Sequence, residues 1–180
     1  MWNMIKTLII VLLTSTASAD AQDPVQLDIE SFQQPHWSQQ EVENVALIGD
    51  FVQRLMNDHD FDAVLQRYNN SRYVQHNRNI PDGIEGLVGF LQLFVQQYPD
   101  YSYEVQHVYA DGTFVIFHSH ATLRKQDRGN DRMGLNIIDT WRIEDGQIVE
   151  HWDAIQALDD ALRQSALETG AIIRNDNGVF

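Results

Sequence analysis

The stretch Leu135–Asp153, LNIIDTWRIEDGQIVEHWD, decides the fold. It reads as two strands joined by a tight turn. Leu135 to Ile143 alternates and is rich in β-branched and aromatic residues, which suit a pleated, half-buried surface. Asp145-Gly146 is the signal of a two-residue hairpin loop. Ile148 to Asp153 alternates again. With a regular two-residue loop, Ile143 faces Ile148, Trp141 faces Glu150 and Asp139 faces Trp152. These six side chains then share one largely apolar face, which should point inward. Asp139 and Glu150 become carboxylates on that face, where an ionised group is costly unless it is paired or functional. His151 falls on the opposite face in this register, and a bulge would reverse it.

Working outward from the hairpin, the period stays at two from Tyr101 to Tyr109 and from Phe114 to Leu123 (FVIFHSHATL), with a turn at 110–113 and a polar loop at 124–132. Before Tyr101 the period is 3.6. Ser38-Gln39-Gln40-Glu41 fits a capping box. Val42, Val45, Ile48, Val52, Leu55 and Met56 then form one helical stripe. Asp60 caps a short second helix over Phe61 to Arg67. Gly83 to Tyr98 carries Ile84, Leu87, Val88, Leu91, Phe94 and Val95 at helical spacing and stops at Tyr98-Pro99. Tyr73–Asn77 is a bent strand or a loop. Ala154 to Leu167 is helix-compatible. Three helices followed by a four-strand meander predict an α+β domain, with helices on one face of a curved antiparallel sheet.

The chain has 180 residues, enough for one domain with a full core. Its net charge of −14 repels phosphate backbones and anionic surfaces, which argues against nucleic-acid binding. The sequence contains no cysteine, so disulfides, thiol nucleophiles and cysteine-ligated metals are excluded. At the start, Lys6 precedes the apolar run TLIIVLL, which is too short to span a bilayer, and Ala17-Ser18-Ala19 resembles a cleavage site. Residues 1–21 are therefore read as a secretory signal peptide, giving a periplasmic or secreted protein with no membrane attachment after cleavage. Residues 22–37 are read as a flexible linker or loosely packed arm, 38–167 as the domain and 168–180 as a C-terminal tail.

Alternation places Phe114, Ile116, His118 and His120 on one strand face. Two histidines among apolar residues would line a cavity near Asp139, would mark a half-exposed face, would be hydrogen-bonded core residues, or would contribute an H-x-H metal site. His76-Asn77 is a second polar pair, placed ahead of a helix. Asp139 has two readings: a functional carboxylate, or a structural partner of Arg124, Arg142 or a histidine.

The segments YVQHN…PDGIEG, FHSHATL and IDTWRIEDGQIVEHWD together resemble the SnoaL-like polyketide cyclases of the NTF2-like superfamily, over about residues 40–160. The first two look closest to a bacterial subgroup described as predicted aldol-condensation enzymes. The resemblance implies a cone, in which a curved antiparallel sheet wraps around N-terminal helices and leaves a deep apolar pocket. It implies acid/base chemistry without metal or cofactor, with Asp139 (Arg142 three residues on) as general acid/base. His118 and His120 would orient the substrate carbonyl, and His76 or Asn77 would help hold the ligand. Trp141, Trp152 and Phe114 would wall a small hydrophobic carbonyl compound away from water. Family members assemble through the sheet, so a homodimer is implied.

A signal peptide departs from a cytoplasmic polyketide pathway, and NTF2-like folds host several chemistries and plain binding proteins. Two expectations therefore stand: a cofactor-free enzyme acting on a carbonyl compound, or an exported binding protein that uses the same pocket without turnover.

Overall fold

The computed structural model describes residues 24–168. The expected signal peptide and nearly all of the expected tail lie outside those residues.

The stripe after Ser38 forms α1 (Gln39–Val52), and Ser38 and Glu41 close the capping box. Two helix-start amides are thereby satisfied. Past Val52 the helix widens into a π-turn, Gln53–Asn57, before stopping. That widening brings Asn57 inward, where it is buried against Tyr103. Asp60 caps α2 (Phe61–Tyr68) through the Ala63 amide at 3.1 Å. The third apolar stripe forms α3 (Gly83–Gln97). Gly86 is required there: a Cβ on it would meet the Pro81 carbonyl oxygen at 2.5 Å.

The sheet holds β1 (Val74–Gln75), β2 (Ser102–Asp111), β3 (Phe114–Thr122), β4 (Leu135–Glu144) and β5 (Gln147–Ala157), in the order β1-β5-β4-β3-β2. β2 to β5 are the antiparallel meander. β1 adds at the edge, parallel to β5, pairing Val74 with Glu150 and Gln75 with His151. Two residues are too few to show a period, so sequence could not separate this strand from a loop. The result is a curved, unclosed mixed sheet with helices on its inner face, the NTF2-like cone. Ile48, Phe51, Val64 and Ile84 from the helices meet Val115, Phe117 and Trp141 from the sheet. Each such side chain contributes about 1.5–3 kcal/mol by leaving water.

Three expectations are corrected. The hairpin turn is as read, with positive φ at Asp145 and Gly146 and Ile143 opposite Ile148. Beyond it, however, one extra residue, Val149, interrupts β5. Arg142 then faces Glu150, Trp141 faces His151 and Asp139 faces Asp153. Both Ile148 and Val149 are buried, and burial of two successive apolar residues is what a bulge achieves. Second, the chain after Asp153 continues as strand to Ala157, pairing as far as Leu135. Among the described residues after Asp153, only Gln164–Glu168 is α-helical, as α4. Sheet pairing overrides the local helix preference there. Third, of the two readings of the 22–37 segment, its described part is an arm packed on the core and not a free linker. Leu27, Ile29, Phe32 and Trp37 pack on the core. Gln53 holds the Leu27 amide and the Val25 carbonyl at 2.9 and 3.0 Å.

Candidate functional site

The bulge in β5 builds the site. It turns His151 to the inner face, directly beside Asp139 of β4. Both are nearly sealed from solvent, at 4% and 3% exposure. His151 Nε2 lies 3.0 Å from Asp139 Oδ1. From the outer strand β2, the Tyr103 hydroxyl donates a hydrogen bond to Asp139 Oδ2. Tyr103 is fixed in turn by Asn57, whose side-chain amide bonds both its backbone N–H (2.8 Å) and its carbonyl (2.9 Å).

The proton positions follow from one unambiguous donor. The Asn77 backbone N–H donates to Gln75 Oε1 at 2.9 Å, which identifies that atom as the amide oxygen. His151 Nδ1 lies 3.0 Å from the same oxygen. An oxygen acceptor there means that Nδ1 carries a hydrogen. Nε2 therefore meets Asp139 Oδ1 either as an acceptor facing a protonated carboxyl, or as the second N–H of an imidazolium facing a carboxylate. In both cases one proton lies between the two groups. Around them, burial and then the Asp139 charge push the hydroxyls of Tyr73, Tyr101 and Tyr103 well above the usual phenol range. All three stay protonated. Asn77 Nδ2 donates to Asp153 Oδ2 at 2.6 Å, and Trp141 lies alongside His151 with ring centroids 5.3 Å apart.

Of the residues read from sequence, Asp139, Trp141 and Asn77 come together here. His118 and His120 do not. Phe117 is opposite Asp139, so the inner face of β3 carries Val115, Phe117, Ser119 and Ala121, and both histidines point outward. His120 donates to the Met133 carbonyl (2.7 Å), because a carbonyl only accepts. His118 contacts His107 (3.0 Å) and Asn136 (2.7 Å). His76, Trp152 and Phe114 also lie on the outer face. His76 stacks on Trp152 at 4.6 Å and ion-pairs with Glu150, while Phe114 flanks the same indole at 6.4 Å. Arg142 pairs with Glu150 and Glu144 rather than with Asp139.

Sequence reading missed Tyr103 and Gln75, and placed His151 beside Asp139 only on the condition of a bulge, which the structure has. Alternation alone could have found Tyr103. His151 required the bulge, and Gln75 required the parallel edge strand.

Asp139, His151 and Asp153 also turn ligand atoms to within 4.8 Å of one another, a set able to take a divalent cation. A cation there would replace the proton between Nε2 and Oδ1. The clefts found among the described residues include one beside His120 (290 Å³), one under the N-terminal arm (630 Å³) and one beyond α3 (440 Å³). Asp139 and His151 line none of these three.

The SnoaL-like domain model matches residues 48–151, from α1 to the site histidine itself. The chain belongs to the SnoaL-like family. No curated protein matches it. Among solved structures, this SnoaL-like chain is similar to a candidate polyketide cyclase from Bacillus cereus ATCC 10987. The two share 24% identity over 73% of this chain and 85% of that one, with a TM-score of 0.56. It is also similar to AclR, a candidate hydroxylase from Streptomyces galilaeus (19% identity, 74% and 99% covered, TM-score 0.53). A third is a candidate SnoaL-like polyketide cyclase from Jannaschia sp. CCS1 (17% identity, 76% and 96% covered, TM-score 0.52). At these identities the likeness speaks for the fold. The chemistry has to come from the residues of this SnoaL-like domain.

Proposed function

We propose that the protein is an exported, cofactor-free acid/base enzyme that moves a proton at the carbon beside a carbonyl, in the manner of aldol condensation or isomerisation. The observation that carries this reading is the interior Asp139–His151 pair, hydrogen-bonded at 3.0 Å. Asp139 accepts the α-proton of a small apolar carbonyl compound. The imidazolium form of His151 faces the negative charge that develops, and returning the proton closes the cycle. Burial strengthens both interactions. Trp141 and Phe117 supply apolar surface and exclude water. Gln75 and Tyr103 keep the two groups in register, which is the orientation that such transfer needs.

The test is hydrogen–deuterium exchange at the α-carbons of cyclohexanone, followed by NMR in heavy water. Wild-type protein is expected to accelerate exchange, and Asp139→Asn to slow it by about a hundredfold or more while keeping the wild-type circular dichroism. Exchange at the wild-type rate in that variant would remove Asp139 as the base. Ketone binding without any exchange would leave a binding protein, and exchange that appears only on adding a divalent cation would assign the Asp139–His151–Asp153 set to metal.

A further inference from the structure

The proton transfer above does not use Asp153. On β5 it stands directly opposite Asp139 of β4, so two carboxylates face each other across neighbouring strands. Like charges in that position destabilise a sheet. Among the described residues, the basic group that ion-pairs with either of them is His151. Their field reaches Tyr73, whose hydroxyl is held protonated by burial and then by the charges of Asp139 and Asp153. The three side chains present one ligand atom each, within 4.8 Å of one another. Each of the three is also held from outside the group. Tyr103 donates to Asp139 Oδ2, His151 Nδ1 donates to the Gln75 amide oxygen, and Asn77 Nδ2 donates to Asp153 Oδ2 at 2.6 Å. Outer bonds of this kind orient metal ligands. They fix the ring and both carboxylates, and leave His151 Nε2 and one oxygen of each aspartate for a shared centre.

We propose that Asp139, His151 and Asp153 bind one divalent transition-metal ion of the zinc class, and that the bound ion silences the acid/base pair. The site needs no cavity, because the ion takes the place of the proton between Nε2 and Oδ1: one cation enters and one proton leaves. At metal–ligand distances of about 2.0–2.2 Å, two atoms 3.0 Å apart subtend close to a right angle at the ion, as neighbouring ligands do. A small rotation of Asp153 completes the set. Asp153 is half-buried while the other two are buried, so the ion enters from its side. One imidazole nitrogen and two carboxylate oxygens suit zinc, cobalt or manganese better than magnesium or calcium, which take oxygen ligands. The ion also removes the repulsion between the facing aspartates. The silencing rests on the acid/base reading. It follows because the ion occupies the carboxylate that accepts the α-proton and the nitrogen that faces the developing charge.

The experiment titrates zinc ion into the metal-free full chain by isothermal titration calorimetry, and follows cyclohexanone exchange at each zinc concentration. Wild type is expected to bind zinc and to lose exchange in step with binding. Asp153→Asn removes one ligand and the facing charge without altering the groups that move the proton. It should exchange at the wild-type rate without zinc, keep an unchanged or higher Tm, and bind zinc at least about tenfold more weakly. Zinc should inhibit this variant only at correspondingly higher concentration. Asn77→Ala keeps all three ligands and should weaken zinc binding by about 10–100-fold; it carries the test if Asp153→Asn does not fold. Four results overturn the proposal. They are no zinc binding to wild type, equal affinity in Asp153→Asn, undiminished exchange in the zinc-saturated wild type, or exchange that requires zinc. Equal affinity would place the zinc on surface histidines. The two readings fail separately. Asp139-dependent exchange without zinc binding would keep the base and discard the cation site. Asp153-dependent zinc binding with no exchange at any zinc concentration would keep the cation site and discard the base together with its silencing.

Discussion

Asp139 is hydrogen-bonded to two side chains on different strands, and the two contacts are not equivalent. The His151 contact carries a transferable proton. The Tyr103 contact carries one that burial and the Asp139 charge lock onto the phenol. Tyr103 is therefore a permanent donor, and removing it leaves a buried carboxylate oxygen unpaired. Tyr103→Phe is expected to lower stability by about 2 kcal/mol, the range for hydrogen bonds to charged groups, read as a lower urea midpoint. An unchanged midpoint would show that the hydroxyl does not hold the carboxylate. At this scale the sequence was informative about Asp139 itself. A carboxylate inside an alternating apolar strand needs a partner, and alternation placed it inward correctly. Alternation also put His118 and His120 together on one face, as observed. It could not say that this face is the outer one, because each strand was read without its neighbours' register. Phe117 opposite Asp139 is the fact that separates them.

Two irregular elements position the site, and neither has a period that sequence could show. The first is the bulge at Val149. Without it, the hairpin register sends His151 to solvent and Trp152 inward. Deleting Val149 is expected to restore that regular register. It should abolish ketone exchange and reduce stability by about 3–5 kcal/mol, the cost of breaking a buried pair, measured by denaturation with urea. Retention of both would mean that His151 is oriented by something other than the bulge. The second is the π-turn at the end of α1, of a kind found often at functional sites. It delivers Asn57 to Tyr103. The regular elements were legible for an ordinary reason. The capping box, the three apolar stripes and the Asp-Gly turn each express a local preference that agrees with the fold. The end of β5 was not, because the preference after Asp153 is helical and the ladder to Leu135 outweighs it.

For the whole molecule, the acidic composition concentrates titration at low pH. Hydrogen bonds from His76 and Arg142 hold the Glu150 carboxyl below its ordinary value of 4.5. Amides at Gly112 and Ser38 do the same for Glu41. Burial raises Asp50, but bonds from Arg54 and Tyr68 and the charge of Arg67 outweigh it and leave it lowered. Groups lowered by folding stabilise the native state above their unfolded values and lose that contribution as pH falls through the folded ones. The contribution of these carboxyl contacts to thermal stability should therefore be lost as pH falls below about 4.5; constant stability down to about pH 3 would mean that these contacts contribute nothing. The fold as a whole was more legible than the site. A switch of period from 3.6 to 2 survives errors in register, whereas a pair of facing side chains does not. Asn57 has one further consequence. A sheet that does not close leaves outer strands able to pair with another chain. β2 is one of them, and at Tyr103 both its free amide and its free carbonyl are already taken. The other outer strand is only two residues long. The residue that steadies the site thus also blunts a sheet edge, and so guards the protein against strand-to-strand aggregation.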